Sequence, residues 1–392
     1  MQIAICGKTN CGKTTFFSAA TLVDAEISNR VFTTIKPNQG VGYVTAPCPC
    51  RELGVKCQPV NSKCIDGVRH IPVKLIDIAG LVPGAHEGRG LGNQFLSEIM
   101  EANALIHVVD ISGSTDAEGN AAQPGTNDPM NDIEFLPKEI DYWILGILKK
   151  NWRQIITKAK AGDEKLEELI HKQLSGLGVR VDDVTQALRK INVSEGSDDN
   201  KLLEFIKMLR EKAKPMLIAA NKIDVPGADK KLERVQKDME SAMPCSAESE
   251  LALRRAAEQG LIRYRPGSSS FEVLKNIGQK QLQALNFIGK NVLQRFGSTG
   301  VQQAINYAAF GLLDMIVVYP VENESHYSSG KGNVLPDAYL VPRGTTAKGL
   351  AGLIHTDFLD KFVAAVDARK KQRIAADHEL ENGDIVKIML KK

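Results

Sequence analysis

The run Gly7-Lys8-Thr9-Asn10-Cys11-Gly12-Lys13-Thr14-Thr15 constrains the fold more than any other stretch of the chain. It fits G-x-x-x-x-G-K-[ST], a pattern that works only with a strand before it and a helix after it. Apolar residues 3–6 supply the strand, and residues 14–20 have a helical pattern. Glycines let backbone N–H groups curl around phosphate oxygens, and the helix N-terminus adds partial positive charge. Lys13 is therefore expected at the β- and γ-phosphates and the Thr14 hydroxyl at Mg²⁺. Gly7, Asn10, Cys11, Gly12 and Thr15 line the same nucleotide.

The rest of the chain fits an α/β domain with additions. Short apolar runs at 3–6, 73–76, 105–109 and 216–220 read as buried strands of a mostly parallel sheet, with helical patterns between them. From 137 to 214, Ile140, Trp143, Ile144, Ile147, Leu148, Trp152, Ile155 and Ile156 open a run of amphipathic helices, read as an insertion. The expected division is a nucleotide domain at 1–136 and 215–250, the insertion at 137–214, and a helical segment at 251–312 that completes the domain. A small α+β module covers 313–392, with strands at 315–319, 338–341 and 385–389, a helix at 358–368 and a mobile polar loop at 324–333.

Composition excludes little. Of the 392 residues 43% are hydrophobic, and the net charge is +3. Nucleic-acid binding must then come from a local patch. Arg369, Lys370, Lys371 and Arg373 are the candidate, against the plainer reading of a solvated helix end. Neither a leader pattern nor a membrane-length apolar run is present, so a soluble, cytoplasmic, monomeric protein without membrane contact is expected.

Two more motifs fall at strand ends. Asp77-Ile78-Ala79-Gly80 closes the strand at 73–76, where ligands of open α/β sheets bind. Asp77 is expected to serve Mg²⁺ and the Gly80 N–H the γ-phosphate. Gly84, Gly88, Gly90 and Gly92 follow, in the manner of a switch ordered by that phosphate. Asn221-Lys222-Ile223-Asp224 closes the strand at 216–220. The Asp224 carboxylate can accept both N1–H and the exocyclic amine of guanine. Charge-assisted bonds of about 1.5–3 kcal/mol each decide the base. Asn221 is expected to hold O6/N7 and the loop, the Lys222 stem to cover the ring, and the Ala247 N–H, after Ser246, to meet O6.

With these motifs the sequence resembles the translation-factor-class GTPases of the Obg family, in the archaeal form of the YchF-like branch. Asn10, residues 32–38 (Phe-Thr-Thr-Ile-Lys-Pro-Asn) and the run from Gly80 to Gly92 carry the likeness. The resemblance implies a P-loop NTPase G domain with helical insertions and a C-terminal β-grasp TGS-like domain, linked to RNA or the ribosome. Residues 335–341 and 381–386 carry the TGS match. It implies that Thr34, or else Thr33, completes Mg²⁺ coordination, so that Lys13, Thr34 and Gly80 form the catalytic set. Leu81 stands where related enzymes orient water with Gln, so GTP hydrolysis to GDP should be slow. Asn10 implies K⁺ use. Many YchF-like proteins lack the N-K-x-D aspartate and prefer ATP; Asp224 is retained here, so GTP is expected. The rival readings are an ATP-preferring ATPase and an RNA- or ribosome-binding module with a structural nucleotide.

Cys48, Cys50, Cys57 and Cys64 lie in one segment, read as a β-hairpin extension. Free thiols, a disulfide and structural Zn²⁺ are all open, because the spacing is irregular for a zinc ribbon.

Overall fold

The protein is described by a computed structural model. It covers residues 1–22, 38–78, 80, 84, 98–116, 118–239, 241–275 and 277–391. Thr33, Thr34, Leu81, Gly88, Gly90 and Gly92 lie outside the described residues.

Among the described residues, three β-sheets carry the fold. The first has strands β1 (Gln2–Cys6), β2 (Gln39–Pro47), β3 (Lys63–Ile65), β4 (Val68–Asp77), β5 (Ala104–Asp110), β6 (Met216–Asn221) and β7 (Met243–Pro244). Its order is β2-β4-β1-β5-β6-β7, with β3 on β4. The centre is parallel, with Ile3 opposite both Leu75 and Ala104. Only β2 and β3 run antiparallel to β4, so one edge is a long hairpin. Every residue of β5 is buried, as expected for a strand covered on both faces.

Helix Lys13–Thr21, termed α1, and helix Val301–Tyr307 cover one face; Phe16, Ala20, Val301, Ala304 and Ile305 share a cluster with Ile3, Ile5 and Val108. The stretch at 251–312 thus packs into the first sheet, and it also contains the two-stranded hairpin β8 (Ile262–Arg263) and β9 (Glu272–Val273). The helical insertion packs on the other face through Leu136, Ile140, Phe205 and Leu209 against Ala4, Cys6 and Leu105. Its first helix is Pro129–Ala161, so it starts before the expected 137. Pro137 sits inside this helix, and Asp128 caps it through a 3.1 Å bond from the Met130 N–H. A buried Arg210–Asp141 pair at 2.7 Å ties this helix to Asp199–Ala213.

The C-terminal sheet comprises β10 (Met315–Val321), β11 (Tyr339–Pro342), β12 (Phe362–Asp367), β13 (Gln372–Ile374) and β14 (Ile385–Leu390), ordered β11-β10-β14-β12-β13. The helix expected at 358–368 is corrected here. One turn, Phe358–Lys361, is helical, and β12 then pairs with both β13 and β14. Val363 is exposed while Ala365, Val366 and Asp367 are buried in a row, and the pairing shifts register between Phe362 and Ala364, so no clean two-residue alternation marks the strand in the sequence. The module's real helix is Ala347–Ile354, capped by Thr346. Residues 369–371 therefore lie in the turn between β12 and β13, and Arg373 lies in β13, not at a helix end. The loop at 324–333 is tied down by a 2.6 Å Lys387–Glu324 pair.

No described helix is long and apolar enough to cross a membrane.

Candidate functional site

The phosphate loop forms where β1 gives way to α1. Gly7 and Gly12 have φ of +144° and +98°, and Asn10 is left-handed at +60°. A Cβ at Gly7 would sit 2.3 Å from the Val108 carbonyl, and one at Gly12 2.2 Å from the Asn221 amide. Side chains are excluded there by contact as well as by backbone angle. No side chain caps α1, so its first N–H groups face the loop. Lys13 is buried, and its Nζ meets the Lys8 carbonyl at 2.6 Å. Among the described residues it has no carboxylate partner. A buried ammonium with one carbonyl acceptor is well matched to a phosphate.

Asp77 faces the loop from the end of β4. The Thr14 hydroxyl donates to its Oδ2 at 3.1 Å, while its Oδ1 is buried without a partner. Burial raises the Asp77 carboxyl above its ordinary range, against the pull of Thr14 and Lys13. Two converging hard oxygen ligands with one orphaned lone-pair set fit Mg²⁺. Gly80 lies at the same place: a Cβ there would meet Thr9 of the loop at 2.7 Å.

The base side is built around Asn221. Its Nδ2 donates to the Cys11 carbonyl at 2.9 Å, and its Oδ1 accepts from the Ala247 N–H at 2.9 Å. Asn221 thus clamps the phosphate loop to the Ser246–Ala247 turn. The expected hold of Asn221 on the loop is thus present, and the Ala247 N–H meets the Asn221 side chain. Ser246 Oγ donates to Asp224 Oδ1 at 2.7 Å. Each carboxylate oxygen has two acceptor positions, so Asp224 can still take two donors from a base. Lys222, left-handed at φ +64°, extends to Asp110 Oδ2 at 2.9 Å and Ser114 Oγ at 3.1 Å.

Several supporting residues carry no sequence motif. Asp110 is wholly buried at the end of β5 and accepts from Ser112, Ser114, Thr115 and Lys222. Burial would raise its carboxyl, but bonds from Ser112 and Lys222 hold it below the ordinary range. Its place at a strand end was the available signal. Lys8 and Asp132 form a buried pair at 2.7 Å that fixes the phosphate loop to the insertion's first helix; their separation in sequence gave no signal. Glu250, also fully buried, accepts from Arg254, Tyr264 and Thr299, and Thr299 O takes the Ser246 N–H. Asn10 donates from Nδ2 to the Gly119 carbonyl at 2.8 Å.

Away from this site, the four cysteine sulfurs at 48, 50, 57 and 64 all lie within 4.8 Å of one another. Arg369 of the C-terminal turn pairs with Glu52 and the Gly383 carbonyl, while Lys370, Lys371 and Arg373 are exposed.

Comparison with known proteins identifies the families that the chain resembles. Residues 2–139 match the family described as 50S ribosome-binding GTPase, residues 219–323 match Obg-like GTPase YGR210-like, G4 motif-containing domain, and residues 331–390 match the TGS domain. An uncharacterized GTP-binding protein of Methanocaldococcus jannaschii is 50% identical over 99% of this chain and 98% of its own. The ribosome-binding ATPase YchF of Mycoplasma pneumoniae is 29% identical over 93% of this chain and 88% of its own. A crystal structure of a GTP binding protein from Pyrococcus horikoshii OT3 is 41% identical, covers 100% of both chains and superposes with a TM-score of 0.80. The Schizosaccharomyces pombe YchF GTPase, at 20% identity, covers 99% of this chain and 97% of its own and has the same fold, with a TM-score of 0.59.

Proposed function

Because the chain belongs to the Obg-like YchF family of GTP-binding P-loop proteins, we propose that it is a cytoplasmic, guanine-selective switch that hydrolyses GTP slowly. The observation that carries this reading is the Asp224 carboxylate, oriented by Ser246 and joined to the phosphate loop through Asn221. A base and a phosphate chain on one nucleotide would engage both ends of that brace. Adenine offers no donor pair to Asp224 and would leave a carboxylate unpaired.

Thr14 and Asp77 would hold Mg²⁺, with Thr34 as a further ligand. The ion, when bound, supplies positive charge to the β- and γ-phosphate oxygens. The chain's own part is to bind and orient: Lys13 and the first N–H groups of α1 take the phosphates, and Gly80 donates its N–H to the γ-phosphate. Leu81 has no polar atom to orient water, which supports slow turnover. The Asn10 Nδ2 is held by Gly119, leaving its Oδ1 as the atom for a K⁺ ion.

A second reading is supported by the relatives named ribosome-binding ATPase. It assigns ATP as the nucleotide, or gives the nucleotide a structural role in a ribosome-binding module. Multiple-turnover phosphate release from GTP and from ATP, in KCl and in NaCl, separates the readings. The proposal expects slow release from GTP, faster in KCl. Equal rates in the two salts end the K⁺ role, and release from neither nucleotide, with or without ribosomes, favours the structural role.

A further inference from the structure

We propose that Cys48, Cys50, Cys57 and Cys64 form a tetrathiolate site for one structural Zn²⁺, which pins the G domain's edge hairpin to the TGS domain. Cys48, Cys50 and Cys57 come from the loop that follows β2, with Cys48 next to the strand's last residue, and Cys64 comes from β3. Their separations are all within 4.8 Å, and Cys50 and Cys64 stand 3.8 Å apart. A tetrahedral site with Zn–S of about 2.3 Å has sulfur–sulfur edges of about 3.8 Å. All four cysteines are free thiols. Spacing in sequence argued against a ribbon, but proximity in space is what a metal requires.

A second observation is electrostatic. Arg69 is fully buried beside this cluster. Its Nη1 meets Ser62 Oγ at 3.1 Å and its Nη2 the Leu335 carbonyl at 3.0 Å, while Nε is buried without a partner. The guanidinium lies 5.3 Å from the Tyr319 ring centroid. Among the described residues no carboxylate lies within ion-pair distance of it. The Asp337 carboxyl feels the Arg69 charge but makes no direct ion pair with it, and a buried cation without a paired countercharge is expensive. Binding of Zn²⁺ releases four thiol protons to solvent and leaves the centre with a net charge of about −2, which gives Arg69 an anionic neighbour at the cysteines.

The position gives the site its role. Between Cys57 and Cys64, the Gln58 N–H donates to the Val334 carbonyl at 2.8 Å and the Val60 N–H to Pro336 O at 2.6 Å. Asn61 exchanges bonds of 3.2 and 3.0 Å with Ala338. Cys48 and Cys50 share an apolar cluster with Val317, Tyr319, Leu335 and Ile385 of the C-terminal sheet. A metal here fixes a loop that has little regular structure of its own, and with it the surface on which the TGS domain sits.

The test uses the full chain purified from zinc-containing medium under reducing conditions without chelator. Elemental analysis should find one zinc per chain, and cobalt exchange should give the visible absorption of a tetrahedral tetrathiolate. Cys57→Ser, at a partly exposed position, should drop zinc to near zero and abolish that absorption while keeping nucleotide binding. Stripping zinc from the unmutated chain should raise amide exchange at residues 58–61 and 334–338. Metal-free protein with four titratable thiols, or with a Cys50–Cys64 disulfide, overturns the site. Unchanged exchange after stripping overturns the pinning role.

Discussion

At the residue scale, the site depends on a few side chains that hold other side chains. Asp110 shows this best. It belongs to no motif that announces it, yet it anchors Lys222 and three hydroxyls from a buried position. Asp110→Asn keeps the shape and removes the charge. It should weaken GTP binding roughly ten- to a hundredfold, the loss of one charge-assisted bond of about 1.5–3 kcal/mol. Calorimetric titration measures this, and unchanged affinity would refute the anchoring role. The wild-type carboxyl is held low, so its contribution to stability is present above the unfolded carboxylate range and is lost as pH falls through the folded value. The motif residues themselves were legible, because strand-end chemistry leaves a local pattern. Asn221 was read as a ligand of the base and of the loop; its hold on the loop is seen in its bonds to Cys11 and Ala247, partners that are distant in sequence.

At the element scale, β1, β4, β5, β6, β10, β11 and β14 followed from apolar runs, but β2 and the order of the strands did not, and two further segments were misread. The Pro129–Ala161 helix carries a proline inside it, which masked its start. The strand β12 was read as helix, because its pairing with β13 and β14 is non-local and its alanines favour a helix in isolation. Lys214, between helix Asp199–Ala213 and β6, offers a test of how the insertion joins the sheet. Its buried ammonium meets the carbonyls of Met100 and Ala102 at 2.8 and 2.6 Å. Desolvation lowers its pKa to about 8. The folded value lies below the unfolded one, so the penalty for the charged form is full below about pH 8 and is relieved as pH rises toward the ordinary lysine range. Thermal melts of the wild type and Lys214→Met should therefore diverge in favour of the wild type as pH rises through that window. A constant gap would show that the two carbonyls fully compensate the charge.

At the scale of the whole molecule, β2 and β4 join two distant chemistries. β4 ends at Asp77 beside the phosphate loop and begins at Val68, near the cysteines; β2 runs antiparallel to it, from Gln39 to Pro47. The Asp77 N–H is bonded to the Asn38 carbonyl at 2.8 Å, next to the segment carrying Thr34. The same hairpin thus touches the nucleotide site at one end and the TGS domain at the other. On the TGS side, Lys370 and Lys371 in the β12–β13 turn and Arg373 in β13 are exposed, while Arg369 is held by Glu52. If this turn meets ribosomal RNA, cosedimentation with ribosomes should fall steeply with salt, and Lys370→Glu with Lys371→Glu should flatten the slope. Flat salt dependence in the unmutated chain would remove the turn from the interface. The G domain fold and the C-terminal TGS domain were readable from sequence, but the docking of the cysteine hairpin on the TGS domain was not, since it rests on contacts across more than half the chain.

The central claim is that Asp224, held by Ser246, makes the site select guanine. Competition of unlabelled GTP and ATP against a bound fluorescent GTP analogue tests it directly, with Asp224→Asn alongside. The account predicts that GTP displaces the analogue at far lower concentration than ATP, and that the substitution reduces this preference by roughly ten- to a hundredfold. Equal or better displacement by ATP from the unmutated chain would contradict it.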